Sequence, residues 1–283
     1  MKSRRYISDK LWFACTFAAV AIAVVPLLAI LGDVAYNGLS AINVDFFTKL
    51  PPPPCFLGSK CAPGGMGDAI QGTLILIAQS SAIGIPIGII SGIYVTEYGS
   101  NSWYGSSIRF LGDVLAGIPS IVTGVLVYEL VVIPLHGYSL LAGSVALGSI
   151  MIPIVSNTSA EALKAVPNSL REGSHALGVK NWRIALLMVG IAKRSIATAS
   201  LLAIARITGE TAPLILTSGI SELWYAGEGH PIASLTYYIF YYATSPYNNW
   251  RTLAWGAALI LIVIVMGINF AVRVATRSKK FYS

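Results

Sequence analysis

One basic and one acidic residue stand inside an apolar stretch in the second half of the sequence. Arg206 and Glu210 are four positions apart within the run from Ser195 to Leu216, so their side chains can meet if this run is one helix. An unpaired arginine in the middle of a membrane would cost about 3 kcal/mol or more, which favours a pair. A guanidinium offers a forked set of donors that suits an oxyanion, and Glu210 would keep the positive charge from trapping that ion. The residues therefore predict an anion path.

Two hydroxyl groups lie beside this pair, on Thr208 and Thr211. They could add donors to the same path, although a threonine in a membrane helix more often bonds its own backbone. The whole group has a structural alternative as well. In that alternative, Arg206 and Glu210 lock their helix to a neighbouring helix or to a partner subunit.

A second group of residues lies in the polar segment 161–182. Ser169 and Glu172 have the spacing of a capping box, and Gly178 is a natural helix terminator, so the segment predicts a helix of about two turns. A helix this short is marginal in water and must be held by its neighbours or by a partner. The apolar residues that could form a docking knob on it are Leu170, Ala176 and Leu177. The alternative is that the segment only caps the molecule and that Glu172 only caps the helix.

The composition indicates the kind of element that must position these residues. Of 283 residues, 55% are hydrophobic and only 11% are charged, which is too few charges to cover soluble domains. Apolar runs of about 20 residues are long enough to cross a bilayer. The predicted fold is an all-α, polytopic membrane protein with six transmembrane helices. They run from about Leu11 to Leu31, Ala69 to Tyr94, Ile108 to Ile133, Leu140 to Asn157, Ser195 to Leu216 and Leu253 to Val274.

The basic residues sort by membrane side, which argues against nucleic acid as a partner despite the net charge of +7. One set of loops holds fifteen of the nineteen Lys and Arg, the other holds only Lys49, Lys60 and Arg251, and Arg206 belongs to neither. Because cationic loops stay in the cytoplasm, both termini are predicted to be cytoplasmic. Residues 1–66 are then a cytoplasmic tail, the first helix and an outer loop, and 276–283 are a second cytoplasmic tail.

The outer loops contain features of their own. Cys55 and Cys61 follow a stiff proline run and face an oxidising side, so they form either a disulfide or two free thiols. Cys15 lies within a span and is predicted only to pack. The later outer loop is rich in aromatic residues, which suits a membrane interface; a sugar-stacking or protein-docking surface is the alternative. These residues are Tyr237, Tyr238, Phe240, Tyr241, Tyr242, Tyr247 and Trp250.

Motifs that would indicate other functions do not occur in the sequence. It has no HExxH or GxSxG pattern, and its three histidines are scattered, which disfavours an intramembrane hydrolase. It also has no GxxxxGK[ST] loop for ATP. A channel or a non-catalytic assembly factor would suit glycine-rich spans, but either would work without nucleotide.

The sequence resembles a known family at several motifs. Glu172, Gly173 and Ser174, followed after three residues by Gly178, resemble the EAA loop of the membrane subunits of ATP-binding-cassette (ABC) importers. Other strings are similar to the PstA family of phosphate-importer permeases, and Gly-Glu-Thr-Ala-Pro-Leu favours it over the paired PstC family. One departure is Gly190-Ile191, where the family usually has Leu-Pro. The strings lie at 70–74, 93–98, 116–124, 166–172 and 205–214.

The resemblance implies a type I importer-like bundle whose core is 67–275, with an EAA-type coupling loop at 161–182. It implies a permease, not an enzyme, that passes inorganic phosphate across a prokaryotic plasma (inner) membrane by alternating access. It also implies a PstC permease, a PstB ATPase dimer that binds ATP and Mg, a phosphate-binding protein PstS outside the membrane, and no cofactor on this chain. The residues implied to contact the ATPase are Glu172, Gly173, Ser174, Ala176, Leu177 and Gly178.

Overall fold

The computed structural model describes the backbone of residues 2–55, 62–99 and 102–276, and the side chains in these ranges except those of 2–8, 272, 273, 275 and 276. Every regular element in these ranges is helical, as predicted. The α-helices are α1 (Lys2–Ala41), α2 (Val44–Thr48), α3 (Gly67–Ile93), α4 (Trp103–Gly117), α5 (Ser120–Val127), α6 (Leu140–Lys164), α7 (Asn168–Ala176), α8 (Asn181–Thr208), α9 (Ala212–Thr217), α10 (Leu235–Ala243) and α11 (Asn248–Thr276). Two π-helical turns, Tyr94–Tyr98 and Tyr128–Val132, extend α3 and α5.

Five of these helices are long and apolar enough to cross a membrane, namely α1, α3, α6, α8 and α11. A sixth span exists if α4 and α5 are counted together, since this pair is apolar enough but bent by 107°. The span predicted from about Ile108 to Ile133 thus corresponds to this bent pair and not to one straight helix. The cause is Pro119: the residue before a proline is pushed out of the helical region, and Ile118 is extended, with φ −76° and ψ 133°.

The centre of the bundle is the contact between α3 and α6, where glycines let the two backbones approach. A Cβ atom at Gly88 would lie 2.7 Å from Cβ of Val155, and one at Gly84 would lie 2.9 Å from Cβ of Met151. One turn further, a Cβ atom at Gly92 would lie 2.7 Å from the carbonyl oxygen of Ser156. Small residues at such contacts gain dispersion energy from close packing, which is the main attraction between helices in lipid.

Helix α1 lies at the side of the bundle. It is longer than the predicted span Leu11 to Leu31, and its apolar stretch is exposed, as expected of a surface that faces lipid. Near its C-terminal end, Gly38 fits against α11, because a Cβ atom there would lie 2.8 Å from Cβ of Leu259. Cys15 is a free, exposed cysteine on this helix, and not a packed one as predicted.

Helix α8 differs from its prediction at both ends. It begins at Asn181, well before Ser195, and it ends at Thr208, before Leu216. With Gly190-Ile191 in place of a proline, nothing interrupts its backbone hydrogen bonds. Gly209 then ends the helix, and the chain continues into the separate helix α9, which has Pro213 in its first turn. The single span predicted from Ser195 to Leu216 is thus two helices.

The proline run is tied to the start of α11. The indole Nε1 of Trp250 donates to the carbonyl of Pro52 at 2.9 Å, and Asn249 Nδ2 donates to the carbonyl of Pro53 at 3.1 Å. Cys55 is disulfide-bonded, whereas Cys61 lies outside the described residues. Of the aromatic residues, Tyr238 and Tyr242 are buried, and Tyr242 stacks on Trp250 with ring centroids 4.6 Å apart. Part of the aromatic cluster is therefore core.

Candidate functional site

Arg206 lies in the last turn of α8, and Glu210 lies just beyond the end of that helix. The expectation that one helix carries both is wrong, but the side chains still meet because the chain turns once more after Thr208. The backbone N–H of Gly209 donates to the carbonyl of Arg206, and the backbone N–H of Glu210 donates to the carbonyl of Ile207. Arg206 Nε is 4.0 Å from Glu210 Oε1, which is the outer limit of an ion pair. The arginine side chain is 61% exposed and the glutamate 19%.

The charged pair lines a cavity of about 160 Å³. Its opposite wall is the break between α4 and α5, where Ile118, Pro119 and Ser120 are located, and α6 closes it with Ile150 and Ile154. The break brings the first turn of α5 to the cavity, and a helix N-terminus carries partial positive charge on its free N–H groups. A guanidinium and a helix start in one small cavity can bind an oxyanion, and the carboxylate of Glu210 opposes tight binding.

The two predicted threonines have other positions. Thr208 is buried, and its hydroxyl donates to the carbonyl of Ile204 in its own helix at 2.7 Å. Thr211 precedes α9, and its carbonyl accepts from Leu214 and Ile215. Neither is among the residues that line the Arg206 cavity. Their role in a path stays a prediction.

Two hydroxyl residues that line this cavity, Ser120 and Thr123, were missed. They follow Pro119 in the sequence Ile-Pro-Ser-Ile-Val-Thr. That proline was the available signal, because a break at this position turns the start of a new helix toward the centre of the bundle.

Helix α7, in the polar segment, begins two residues earlier than the capping box predicts. Its N-cap position is Pro167, and no side chain caps it, so the predicted capping box of Ser169 and Glu172 is wrong. Ser169 lies inside the first turn, where its hydroxyl cannot reach a free N–H group as an N-cap would.

The predicted terminator of α7 is confirmed. Gly178 has φ +71°, a conformation that favours glycine. The N–H of Val179 donates to the carbonyl of Ser174 at 3.1 Å, and the N–H of Gly178 donates to the carbonyl of His175 at 2.9 Å. This is the hydrogen-bond pattern of a Schellman motif, and it fixes the direction in which the chain leaves the helix.

No residue of α7 is buried. The side chains at its surface include Leu170, which is 44% exposed, and beyond the end of the helix Leu177, which is 83% exposed. Glu172, Gly173, Ala176 and Gly178 are exposed too, and Ser174 is half-buried and donates to the carbonyl of Leu170. All six residues predicted to contact an ATPase are thus at the surface or half-buried.

Arg171 attaches α7 to the rest of the molecule, a role that the sequence analysis missed. Its Nη2 lies 2.9 Å from Oε1 of Glu97, and its Nε lies 3.2 Å from Oε2 of the same carboxylate. The guanidinium also donates to the carbonyls of Leu163 at 2.7 Å and Val166 at 2.9 Å. One side chain therefore connects α7 to the end of α6 and to the π-helical turn after α3.

Comparisons with known proteins agree with this architecture. The family described as "Binding-protein-dependent transport system inner membrane component" matches residues 84–280. The chain is 41% identical over 255 residues to the phosphate transport system permease protein PstA of Yersinia pestis, which covers 90% of this chain and 85% of that protein. It is 36% identical over 277 residues to the protein of the same name from Haemophilus influenzae, covering 98% and 96%.

A solved structure supports the fold alone. It is the bacterial alginate ABC transporter in complex with alginate pentasaccharide-bound periplasmic protein. The match has a TM-score of 0.68 at 16% identity and covers 95% of this chain and 94% of that chain. The predicted permease bundle is confirmed. This chain belongs to the binding-protein-dependent transport system inner membrane components and, within them, to the PstA phosphate transport permeases.

Proposed function

We propose that this chain is the transmembrane permease subunit of an ATP-driven phosphate importer and that Arg206 is its anion-binding residue inside the membrane. The relatives support phosphate as the cargo, because their names give phosphate transport. The observation that carries the site is the Arg206 side chain, which is more than half exposed, lines a cavity, and lies 4.0 Å from its counter-charge.

The geometry suits binding that is reversible. A guanidinium has five N–H donors, and at 4.0 Å the contact with Glu210 is long for a hydrogen bond. Donors therefore remain for a phosphate oxygen. When phosphate leaves, Glu210 is close enough to take over the positive charge, which lowers the cost of an empty cavity.

Energy for import comes from a separate ATPase, since this chain is a permease and not an enzyme. We infer that α7 docks in a groove of that ATPase through Leu170 and Leu177 and that a PstB dimer holds the ATP and Mg. A PstC permease would complete the path, and a PstS protein would deliver phosphate. In this multi-pass inner-membrane protein, the α7 end and both termini would then be cytoplasmic, in keeping with the basic residues concentrated there.

The test is uptake of labelled phosphate by right-side-out membrane vesicles that carry the co-expressed complex and contain ATP in their lumen. The parent should take up phosphate, and Arg206→Ala should lower uptake by about tenfold or more, because a hydrogen bond to a charged group contributes about 1.5–3 kcal/mol. The matched control is Arg194→Ala, an exposed arginine of the same helix that is not among the residues lining the cavity. The control should transport at close to the parent rate.

Three outcomes would change the proposal. Parent-like uptake by Arg206→Ala would remove Arg206 from the path. Uptake without ATP would favour a channel. Suppression of labelled phosphate uptake by excess sulfate would keep the importer and change its cargo.

A further inference from the structure

A large cavity lies at the α7 end of the bundle, away from Arg206. Its volume is about 600 Å³, and it is lined by residues of α7, the end of α6, the π-helical turn after α3, α4 and the start of α8. The polar residues that line it, apart from the Arg171 and Glu97 pair, are Thr96, Arg109, Lys164, Asn168, His175 and Asn181.

The cavity contains positive charge that no carboxylate of the described residues neutralises. Arg171 and Glu97 cancel each other through their bidentate contact. Arg109 has one weak contact, at 3.4 Å to the carbonyl of Val95. Lys164 has no ion pair or hydrogen bond through its ammonium group to any residue that the structure describes. Two cations therefore face the same space.

Neutral donors lie beside these cations. The Oδ1 atom of Asn168 accepts from Arg171 at 3.1 Å, which leaves its amide N–H groups for the cavity. An anion with several acceptor oxygens could accept from these N–H groups as well as from the two cations.

Three cavities, namely this one, a smaller one and the Arg206 cavity, are lined by residues that follow one face of α6 and one face of α4. On α6 the lining residues follow at intervals of three or four, which places them on one face: Ile150, Ile154, Asn157, Glu161 and Lys164. On α4 the same holds for Arg109, Asp113 and Ala116. A middle cavity of about 170 Å³ shares Val95, Arg109 and Lys164 with the large one.

The middle cavity carries charges of both signs. Asn157 Nδ2 lies 3.3 Å from Asp113 Oδ1 and bridges the two helices, and Glu161 lines the middle cavity on the same side. Arg109 and Lys164 also line this middle cavity, so its two carboxylates are matched by two cations. Asp113 and Glu161 do not line the large cavity, where the same two cations therefore leave a net positive charge for an oxyanion.

We propose that the large cavity is a second oxyanion site, formed by Arg109 and Lys164, that receives phosphate after it leaves Arg206. This inference rests on the proposed function. The chemistry it requires is a phosphate group, whose source is either free inorganic phosphate or the headgroup of an anionic phospholipid, and the experiment separates the two.

The experiment measures amine labelling of the complete importer in phosphatidylcholine nanodiscs, with a water-soluble N-hydroxysuccinimide ester and peptide mass spectrometry. Inorganic phosphate should slow the labelling of Lys164 by about fivefold at a concentration of about four times its Kd. Lys180 is the internal control, since it is exposed in the same polar segment but is not among the residues that line the cavity. Its labelling should not change.

Variants connect the protection to this site. Arg109→Gln should abolish the protection of Lys164, and Arg109→Lys, which keeps the charge, should retain most of it. Arg206→Gln should retain it too, because the two sites are separate. The labelling result thus does not depend on whether the uptake test of Arg206 succeeds.

Equal labelling of Lys164 with and without phosphate would overturn the inference. The same holds if chloride of equal ionic strength protects as well as phosphate does, because the effect would then be screening. Protection that requires phosphatidylglycerol in the nanodisc, and not inorganic phosphate, would assign the cavity to a lipid headgroup and overturn its role in release.

Discussion

Arg171 shows how much of the arrangement of α7 depends on one side chain. The guanidinium is 17% exposed and its partner Glu97 is 7% exposed, so both charges are largely removed from water. Removing one partner of such a pair costs about 3–5 kcal/mol, because the other charge is left buried and unpaired. The anchor also donates to the carbonyls of Leu163 and Val166, at and just after the end of α6.

We predict that Arg171→Gln releases α7 from the bundle. Amide hydrogen exchange over residues 168–180 should become at least about tenfold faster, and the ATPase should no longer co-purify, because a loose helix loses ordering entropy on docking. Arg171→Lys should not restore the parent state, since an ammonium lacks the fork that reaches the carboxylate and both carbonyls.

The matched control for this prediction is Arg183→Gln. Arg183 is a nearby exposed arginine, and its Cζ atom lies 5.1 Å from the ring centroid of Trp182. It should exchange and co-purify like the parent. Unchanged exchange in Arg171→Gln would show that the packing of α7, and not the anchor, holds it.

Spacing along the chain explains which residue contacts were predictable. Arg206 and Glu210 are four positions apart, so their contact follows from local geometry even though the helix ends between them. Arg171 and Glu97 are 74 positions apart, and only the packed fold brings them together. The same is true of Arg109 and Lys164, which the sequence showed only as loop charges.

At the scale of elements, the glycines of α3 set how closely it approaches α6. We predict that Gly88→Val lowers the thermal stability and folded yield of the purified complex strongly, because the new Cβ atom would lie 2.7 Å from Cβ of Val155 and 2.9 Å from the carbonyl of Ile152. Overpacking of this kind costs about 1–3 kcal/mol or more. Detergent-solubilised thermal unfolding with size-exclusion chromatography would measure it.

The control for this change is Gly190→Val in α8. It is the same substitution in a helix, but nothing lies within 4 Å of a Cβ atom at Gly190. Its unfolding temperature should stay near that of the parent. Equal losses from both variants would mean that helix propensity, and not the α3–α6 contact, causes the effect.

Apolar length predicted that helices exist more reliably than where they end. Each predicted span contains a helix, but α8 continues past its apolar run through Trp182 and Arg183, because a helix does not have to end where the bilayer does. The break at Pro119 was visible as a proline, yet its 107° bend depends on the packing of α5 against its neighbours. Helix boundaries follow backbone chemistry, whereas bends follow tertiary contacts.

For the whole molecule, the two ends of the bundle differ in charge and in structure. Residues 218–234 lie at the end opposite α7, where the carbonyl of His230 accepts from the first residue of α6, Leu140, at 2.9 Å. We predict that Glu222→Cys reacts with a membrane-impermeant maleimide in intact cells, and that Lys180→Cys reacts only after permeabilisation, because basic loops stay inside.

Both variants belong in a Cys15→Ser background, so that the free cysteine of α1 does not contribute. Residues 180 and 222 are both exposed, so a difference in labelling reports the side of the membrane and not burial. Labelling of Lys180→Cys in intact cells, with none of Glu222→Cys, would invert the proposed orientation.

Helix α8 gives the molecule a lever. It has no proline and runs from Asn181, next to the end of α7, to Arg206 in its last turn. At 1.5 Å per residue these two positions are about 38 Å apart, so tilting the rod by about 5° around one end moves the other by about 3 Å. Glu210 is tied to the end of α8 through its N–H bond to Ile207, so the charged pair would move together with the rod. A displacement of that size would shift the guanidinium relative to Ile118, Pro119 and Ser120 on the opposite wall of the cavity. A small swing of the α7 end would thus change the shape of the anion cavity at the far end, without any rearrangement within the helix itself.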